Sequence, residues 1–497
     1  MSETAFKFCI QELRSKAKYF EKSGIVPTLD ATATVAKSDR LVSDDLHKAL
    51  LKAFQTLKTD QADSPDWHPN SNDRVQDLVH PSMYPLVYRR TRVFQDEVVG
   101  VEDAIFKWSG RGDTISGEDE WKPEGSERWR YGVGGSIPPD FWSVKYQWLP
   151  ANVAFRDDGS VKLTSYINNL HPNKHPEIYR TIEKLIETSL PMWDQCLTLA
   201  TGYERRQGPG RNAGRFGEPA NADDENPSNW DPSDMMECLN VEVDEKKLED
   251  EGWKDEYLEE DDSGQEMLAE YKWKVLRKPV LEEPVFKDVK YEPKPGECLF
   301  DKFRESGLQI IVKMASIELT PEKPYFPQGG WHVENYGTVE TKERRLLAFP
   351  NVFQHRVSSF ELADPTKPGH RRFIALWLVD PHKRIISTAN VPPQQMSWFA
   401  ESLAASTESK AEATTDLPPE LIDLLKAKGA DLPPSAVEAK LPEELMEMVR
   451  AGLPRDMLPM SLEEAKKHRL ALMKERSAHV ERSEAAWQQH SYSFCEH

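Results

Sequence analysis

Cysteine is scarce and scattered. Cys9, Cys196, Cys238, Cys298 and Cys495 are odd in number, and no two of them form a Cys-x-x-Cys pair. That spacing argues against a disulfide framework and a cysteine zinc site, and a reducing compartment is expected. No run of about eighteen apolar residues occurs, so no membrane-spanning helix and no membrane partner are expected. The opening residues Met1 to Lys7 lead into a charged amphipathic stretch without the apolar core of a secretory signal, which points to cytoplasm or nucleus. No repeat at a fixed period is present.

Basic residues are outnumbered, 64 Lys and Arg against 84 Asp and Glu, for a formal charge of −20. A phosphate-backbone binder needs the opposite balance, so nucleic acid is not an expected partner. The charge is unevenly spread, because Glu242 to Asp262 alone holds twelve acids and three lysines. Such a block reads as a hydrated insertion before it reads as a partner-binding loop. The global charge therefore says little about any active surface. Apolar residues make up only 38% of the 497, and 36 are proline, so part of the length is expected to lie outside the core.

Helical spacing of apolar residues marks Glu3 to Phe20 and Ser43 to Leu57. The stretch Val79 to Arg92, proline-broken at Pro81 and Pro85 and ending in a β-prone, basic piece, reads as a docking loop. The aromatic-rich segment Phe141 to Phe155, the turn Asp157-Asp158-Gly159-Ser160 and Val161 to Ile167 read as a β-hairpin. Pro176 opens a helix with Ile178, Ile182, Leu185, Ile186 and Leu190 on one face, expected to break or kink at Pro191. Leu308 to Leu319, two short pieces within Leu346 to Val357, and Phe373 to Val379 read as the core sheet, the last as a strand buried on both faces. Ser461-Leu462-Glu463-Glu464 is a capping box that opens a long helix through about Gln489.

Chemistry concentrates in Gly329-Gly330-Trp331-His332-Val333-Glu334, because residues two apart on a strand share a face and bring His332 and Glu334 together. In Phe353-Gln354-His355-Arg356-Val357 a histidine shares a strand face with two apolar residues and is expected to point inward, where it needs a partner. Each element alone is weak: an isolated His-x-Glu is ordinarily an exposed strand face, and an isolated histidine a satisfied core residue. Together, two imidazoles and a carboxylate form the ligand set of a mononuclear Fe(II) site, although zinc could use the same three. Arg371, at the entry to the apolar strand, could pair with the distal carboxylate of 2-oxoglutarate, with Arg372 as the alternative, since alternation turns only one of them inward. His370 and His382 sit beside turn residues and are expected to face solvent.

Several stretches resemble an uncharacterised fungal family, domain of unknown function 4246. They include Leu163 to Pro172, Glu318 to Pro324, Trp331 to Glu334, Phe349 to Asn351, Gln354 to Val357 and Pro368 to Arg371. Leu378 to Pro381, Ile386 to Gln395 and Cys495 to His497 complete the likeness, which runs from about Leu78 to the C-terminus. The resemblance implies an α+β fold built on a double-stranded β-helix, or jelly roll, of the Fe(II)/2-oxoglutarate oxygenases. His332, Glu334 and His355 would match its metal ligands and Arg371 its co-substrate arginine. The implied activity is a dioxygenase that hydroxylates or desaturates an unidentified substrate, with Fe(II) and 2-oxoglutarate as cofactors. Under this reading the chain divides into an N-terminal helical region (1–77), a mixed α/β part (78–201), an acidic, disordered insertion (202–270), the jelly-roll core with the metal site (271–400) and a helical extension (401–497).

One departure from the family pattern stands out. Only twenty residues separate Glu334 from His355, whereas about four strands ordinarily intervene, needing on the order of thirty residues or more. An internal segment after Glu334 is therefore expected to be absent and the barrel wall incomplete. The alternative function is then a catalytically impaired remnant of the fold that acts as a binding or scaffold protein.

Overall fold

The structure is a computed structural model that describes residues 3–28, 35–117, 143–197, 232–250, 252–253, 262–276, 291–293, 296–327, 338–350, 355, 357–405 and 458–489. In chain order the strands are β1 (Val26–Thr28), β2 (Val35–Ser38), β3 (Val75–Val79), β4 (Leu86–Val87), β5 (Arg92–Val93), β6 (Asp113–Thr114), β7 (Tyr146–Gln147), β8 (Ala151–Phe155), β9 (Val161–Leu163), β10 (Leu308–Leu319), β11 (Tyr325–Phe326), β12 (Leu346–Ala348), β13 (Phe360–Glu361) and β14 (Gly369–Leu378). The helices are α1 (Glu3–Ser23), α2 (Asp44–Asp60), α3 (Ala104–Trp108), α4 (Pro176–Leu197), α5 (Glu245–Asp250), α6 (Asp262–Leu276), α7 (Leu299–Phe303), α8 (Met396–Ala405) and α9 (Leu462–Gln489). No helix among the described residues is long and apolar enough to cross a membrane.

The fold is mixed α+β around a curled antiparallel half-barrel sheet in the order β14-β10-β8-β9, with β3 also paired to β10. Twelve-residue β10 is its spine, and ten of its residues are buried. Its even-numbered side chains Ile310, Val312 and Met314 join Ile374, Leu376 and Leu378 of β14 against Phe54 and Leu57 of α2 and Ile178, Ile182 and Ile186 of α4. Two amphipathic helices thus cover one face, as the period-2 pattern of the strands requires. At about 25 cal/mol per Å² of apolar surface, that layer is the main source of cohesion for the sheet.

The expected hairpin is present as β8 and β9, with Val153 opposite Leu163. Its turn has Gly159 at φ +80°, a conformation that favours glycine. Asp158 accepts from the backbone N–H and hydroxyl of Ser160. The helix from Pro176 does not end at Pro191 but continues to Leu197. Met192, Gln195 and Cys196 are buried there, so packing of the last turns outweighs the one backbone bond that proline removes.

Two expectations about the core sheet change. β12 does not join it; it pairs with β2 in a separate three-stranded sheet, Ala348 opposite Ala36. The apolar strand Phe373 to Leu378 is not buried on both faces, since no residue of β14 is fully buried. The reason is topological: among the described residues β14 pairs with β10 alone. Within 202–270, expected to be a disordered insertion, the described residues form helical pieces. A 3-10 helix over Pro232–Asn240 packs on α6, and Lys272 donates to the carbonyls of Leu239 and Val241. The Trp253 and Tyr271 rings meet edge to face at 5.5 Å. Buried Cys238, Leu248, Trp253 and Ala269 supply the small core that the dense charge around them conceals.

Helix α9 starts where the capping box places it, with the hydroxyl of Ser461 accepting from the backbone N–H of Glu464. It docks through Arg90, which donates to Glu464 at 2.7 and 3.2 Å and to the carbonyl of Leu458 at 2.8 Å.

Candidate functional site

The second face of the central sheet carries the polar chemistry. Strand alternation places Lys313, Ala315 and Ile317 of β10 there, opposite Ala375, Phe373 and Arg371 of β14. Asp77 of β3 lies across from Ala315 on the other side. A row of three strands therefore presents Asp77, Lys313, Phe373 and Arg371 to one side.

Of the residues expected to form a metal site, His332 and Glu334 lie outside the described residues. His355 is described and exposed, rather than directed into an apolar interior; its ring meets that of Phe349 at 5.0 Å. The short strand before it belongs to the sheet of β1 and β2, so it does not inherit the alternation of the core. The two arginines part as alternation requires. Arg371 faces the polar side, half-buried, with its guanidinium 5.5 Å from the Phe360 ring centroid and its pKa lowered by burial. No carboxylate pairs with it among the described residues. Arg372 turns to the helix-covered face, 5.8 Å from the Phe54 ring, with a buried Nε that has no hydrogen-bond partner.

A cluster that the sequence reading missed sits beside Lys313. His68, Asp77 and His80 bring one ligand atom each to within 4.8 Å of one another. The Nδ1–H of His68 donates to Asp77 Oδ2 at 2.8 Å, and His80 Nε2 lies 3.9 Å from the same oxygen. A β-bulge makes this possible. Ala315 is opposite Asp77 but Met314 is opposite Val79, so Leu78 is the extra residue and both Leu78 and Val79 turn into the core. Regular alternation would have kept Asp77 and Val79 on one face, and the only signal in the sequence is the Asp-x-x-His spacing before Pro81.

Two histidines and a carboxylate are a metal donor set, but their surroundings oppose a dication. The backbone N–H of Ser82 donates to His80 Nδ1 at 3.1 Å, which places the neutral ring's proton on Nε2, the atom that would have to bind the metal. Lys313 lies 3.9 Å from Asp77 Oδ1 and Arg469 lies 3.7 Å from Oδ2, so two cations already balance Asp77 and Asp66. Adding two further positive charges would leave the site uncompensated. Burial pushes His80 down to about 3, keeping it neutral. Burial by itself would raise Asp77, but the bond from His68 and the nearby positive charges outweigh it and hold the carboxyl below its ordinary value. Burial likewise lowers Lys313, against the pull of Asp77. The cluster is a charge-balanced polar network that ties β3, β10 and α9 together.

No curated protein and no solved structure matches the chain. A family model described as "Protein of unknown function (DUF4246)" matches residues 3–336 and 333–402. The two matches meet within residues 333–336, the place where the spacing between Glu334 and His355 is short. With most of its length matched, the chain belongs to the DUF4246 family.

Proposed function

We propose that this chain is an Fe(II)/2-oxoglutarate-dependent dioxygenase-like protein on an incomplete jelly roll, with an unidentified substrate. The observation that carries the reading is Arg371: a half-buried guanidinium on the polar face of the curled sheet, stacked on Phe360 and unpaired with any described carboxylate. A half-buried cation without a counter-ion bears part of the desolvation cost without compensation, and a bidentate carboxylate is the partner its planar fork suits best. The donor chemistry therefore fits the distal carboxylate of 2-oxoglutarate. His332, Glu334 and His355 would hold the iron. When bound, the iron would activate dioxygen, the oxidant, with 2-oxoglutarate supplying two electrons as it is decarboxylated to succinate, for hydroxylation or desaturation of an unreactive C–H bond.

The chain's own contributions are positioning and shielding. Arg371 orients the dicarboxylate, and Phe360 holds the guanidinium plane. Phe373, the next residue on the same face of β14, removes water from the charge pair and so strengthens it. A second reading, a binding protein that has lost turnover, is favoured by β14, whose outer edge lacks, among the described residues, the strand that would extend the wall. Both readings share the anion site and differ in catalysis.

The test combines calorimetric binding of 2-oxoglutarate in the presence of Fe(II) with succinate release in air. Binding by the chain, lost in Arg371→Met, is expected, together with little succinate until a strand-forming segment is inserted after Glu334. Robust succinate release by the unaltered chain, abolished by His332→Ala, would show that the wall is sufficient as it stands. Absence of binding in both the chain and the extended variant would overturn the assignment.

A further inference from the structure

The two edges of the central sheet are treated differently. At β9 the free edge is closed by helix α4: the backbone N–H of Leu163 donates to Glu183 at 2.8 Å and that of Val161 to Glu187 at 3.1 Å. These glutamates satisfy edge donors that would otherwise recruit another strand. At β14 nothing comparable exists among the described residues. Its ten residues, Gly-His-Arg-Arg-Phe-Ile-Ala-Leu-Trp-Leu, contain no proline, no lysine and no bulge against β10. Among the described residues the outward half of its backbone groups is unpaired, and its apolar side chains are only partly covered.

We propose that this edge is completed by a second copy of the chain, β14 pairing antiparallel with its counterpart to give one continuous sheet across a two-fold axis. The sequence of β14 is self-complementary in one register. Centring the pair on Ile374 sets odd residues opposite odd ones, so side chains of one face meet side chains of the same face. Arg371 then faces Trp377 of the second copy, and Arg372 faces Leu376. No like charges are opposed, because the basic end of each strand meets the apolar end of the other. Arg371 and Trp377 make a favourable cation–aromatic contact across the junction, twice by symmetry. The helix-covered faces of both copies stay on one side, so α2 and α4 continue as a layer. The proposal does not depend on the oxygenase reading, since it uses the outer edge of β14 and not cofactor binding.

Light scattering on the separated full chain is expected to give about twice 56.9 kDa. Trp377→Lys should shift the chain to monomer by placing like charges opposite each other, and adding Arg371→Glu to it should restore the dimer by making them opposite. A separate measurement guards against a folding defect. Ile374→Cys, which faces itself across the axis, should form an intermolecular disulfide on mild oxidation above the background of the native cysteines, while Leu376→Cys, which faces Arg372, should not. A monomer over the accessible concentration range overturns the proposal, whether β14 is then bare or covered by another segment or peptide. A dimer indifferent to Trp377→Lys, with no cross-link through residue 374, overturns it equally.

Discussion

Arg469 donates to both carboxylate oxygens of Asp66, at 2.9 and 2.8 Å, across 403 residues of sequence. Its side chain is almost fully buried, and the same guanidinium lies 3.7 Å from buried Asp77. This contact anchors α9 to the central sheet. Burial raises the pKa of Asp66 and Arg469 opposes that rise, so the pair is held against a real desolvation cost.

Removing one member of such a pair strands the other. Arg469→Leu is expected to destabilise the chain by about 3–5 kcal/mol, because Asp66 and Asp77 would share a buried site without their cation. Asp66→Asn added to that variant should recover part of the loss by removing one of the two charges. Chemical denaturation of the three proteins measures it. Equal stability of the single and double variants would show that Arg469 acts through packing alone.

The neutral state of His80 makes a pH prediction with a definite sign. Its pKa is about 3 in the fold, against 6.5 for the ordinary side chain. Between these values the unfolded chain takes up a proton that the folded chain refuses. Stability is therefore fully present above about pH 6.5 and falls as the pH drops toward 3, by at most about 1.4 kcal/mol per pH unit from this residue. His80→Asn keeps an acceptor for the Ser82 N–H and does not titrate. Its denaturation midpoint should change less steeply between about pH 6 and 4 than that of the parent, and identical slopes would remove His80 from the acid response.

How far the sequence can be read follows from the range of the forces involved. Local signals suffice for the β8–β9 hairpin, whose turn chemistry is contained in Asp157 to Ser160, and for the Ser461 cap of α9. Period-2 alternation also separates Arg371 from Arg372, which lie on opposite faces of β14. It fails at Asp77, because the bulge after it is set by the partner strand β10 and not by β3 itself. It fails again at β14, where an apolar run implies burial on both faces while the described sheet pairs that strand on one side only. The polar network of His68, Asp77, His80, Lys313 and Arg469 draws on three separate regions of the chain, so no window of sequence contains it. The short interval between Glu334 and His355 is a property of the chain's order alone, and the family match divides at the same place, residues 333–336.

A glycine governs the approach of β10 to the hairpin. Gly307 has φ +68°, and a Cβ at that position would lie 2.3 Å from the backbone oxygen of Val153. The residue also follows α7, its N–H donating to the carbonyl of Phe303 at 2.8 Å. Neither the backbone conformation nor the space admits a side chain. Gly307→Ala is expected to cost about 2 kcal/mol or more, through strain at φ and displacement of β8 from β10. A thermal midpoint unchanged from the parent would mean that β8 can move without loss.

The two neighbouring arginines of β14 should respond in opposite ways to the same substitution. Arg371 is half-buried, stacked on Phe360, and placed on the face proposed to take a carboxylate, so Arg371→Met should abolish 2-oxoglutarate binding while leaving the fold intact. Arg372 faces α2 with a buried Nε that lacks a hydrogen-bond partner. An unsatisfied buried polar atom costs about 1–3 kcal/mol, and methionine keeps the aliphatic stem against Phe54 while removing that atom. Arg372→Met should therefore preserve binding and leave stability unchanged or slightly raised. Calorimetry and denaturation of the two variants side by side separate ligand recognition from packing. Loss of binding in Arg372→Met with retention in Arg371→Met would invert the assignment of the two faces, and loss in neither would move the anion site away from β14 altogether.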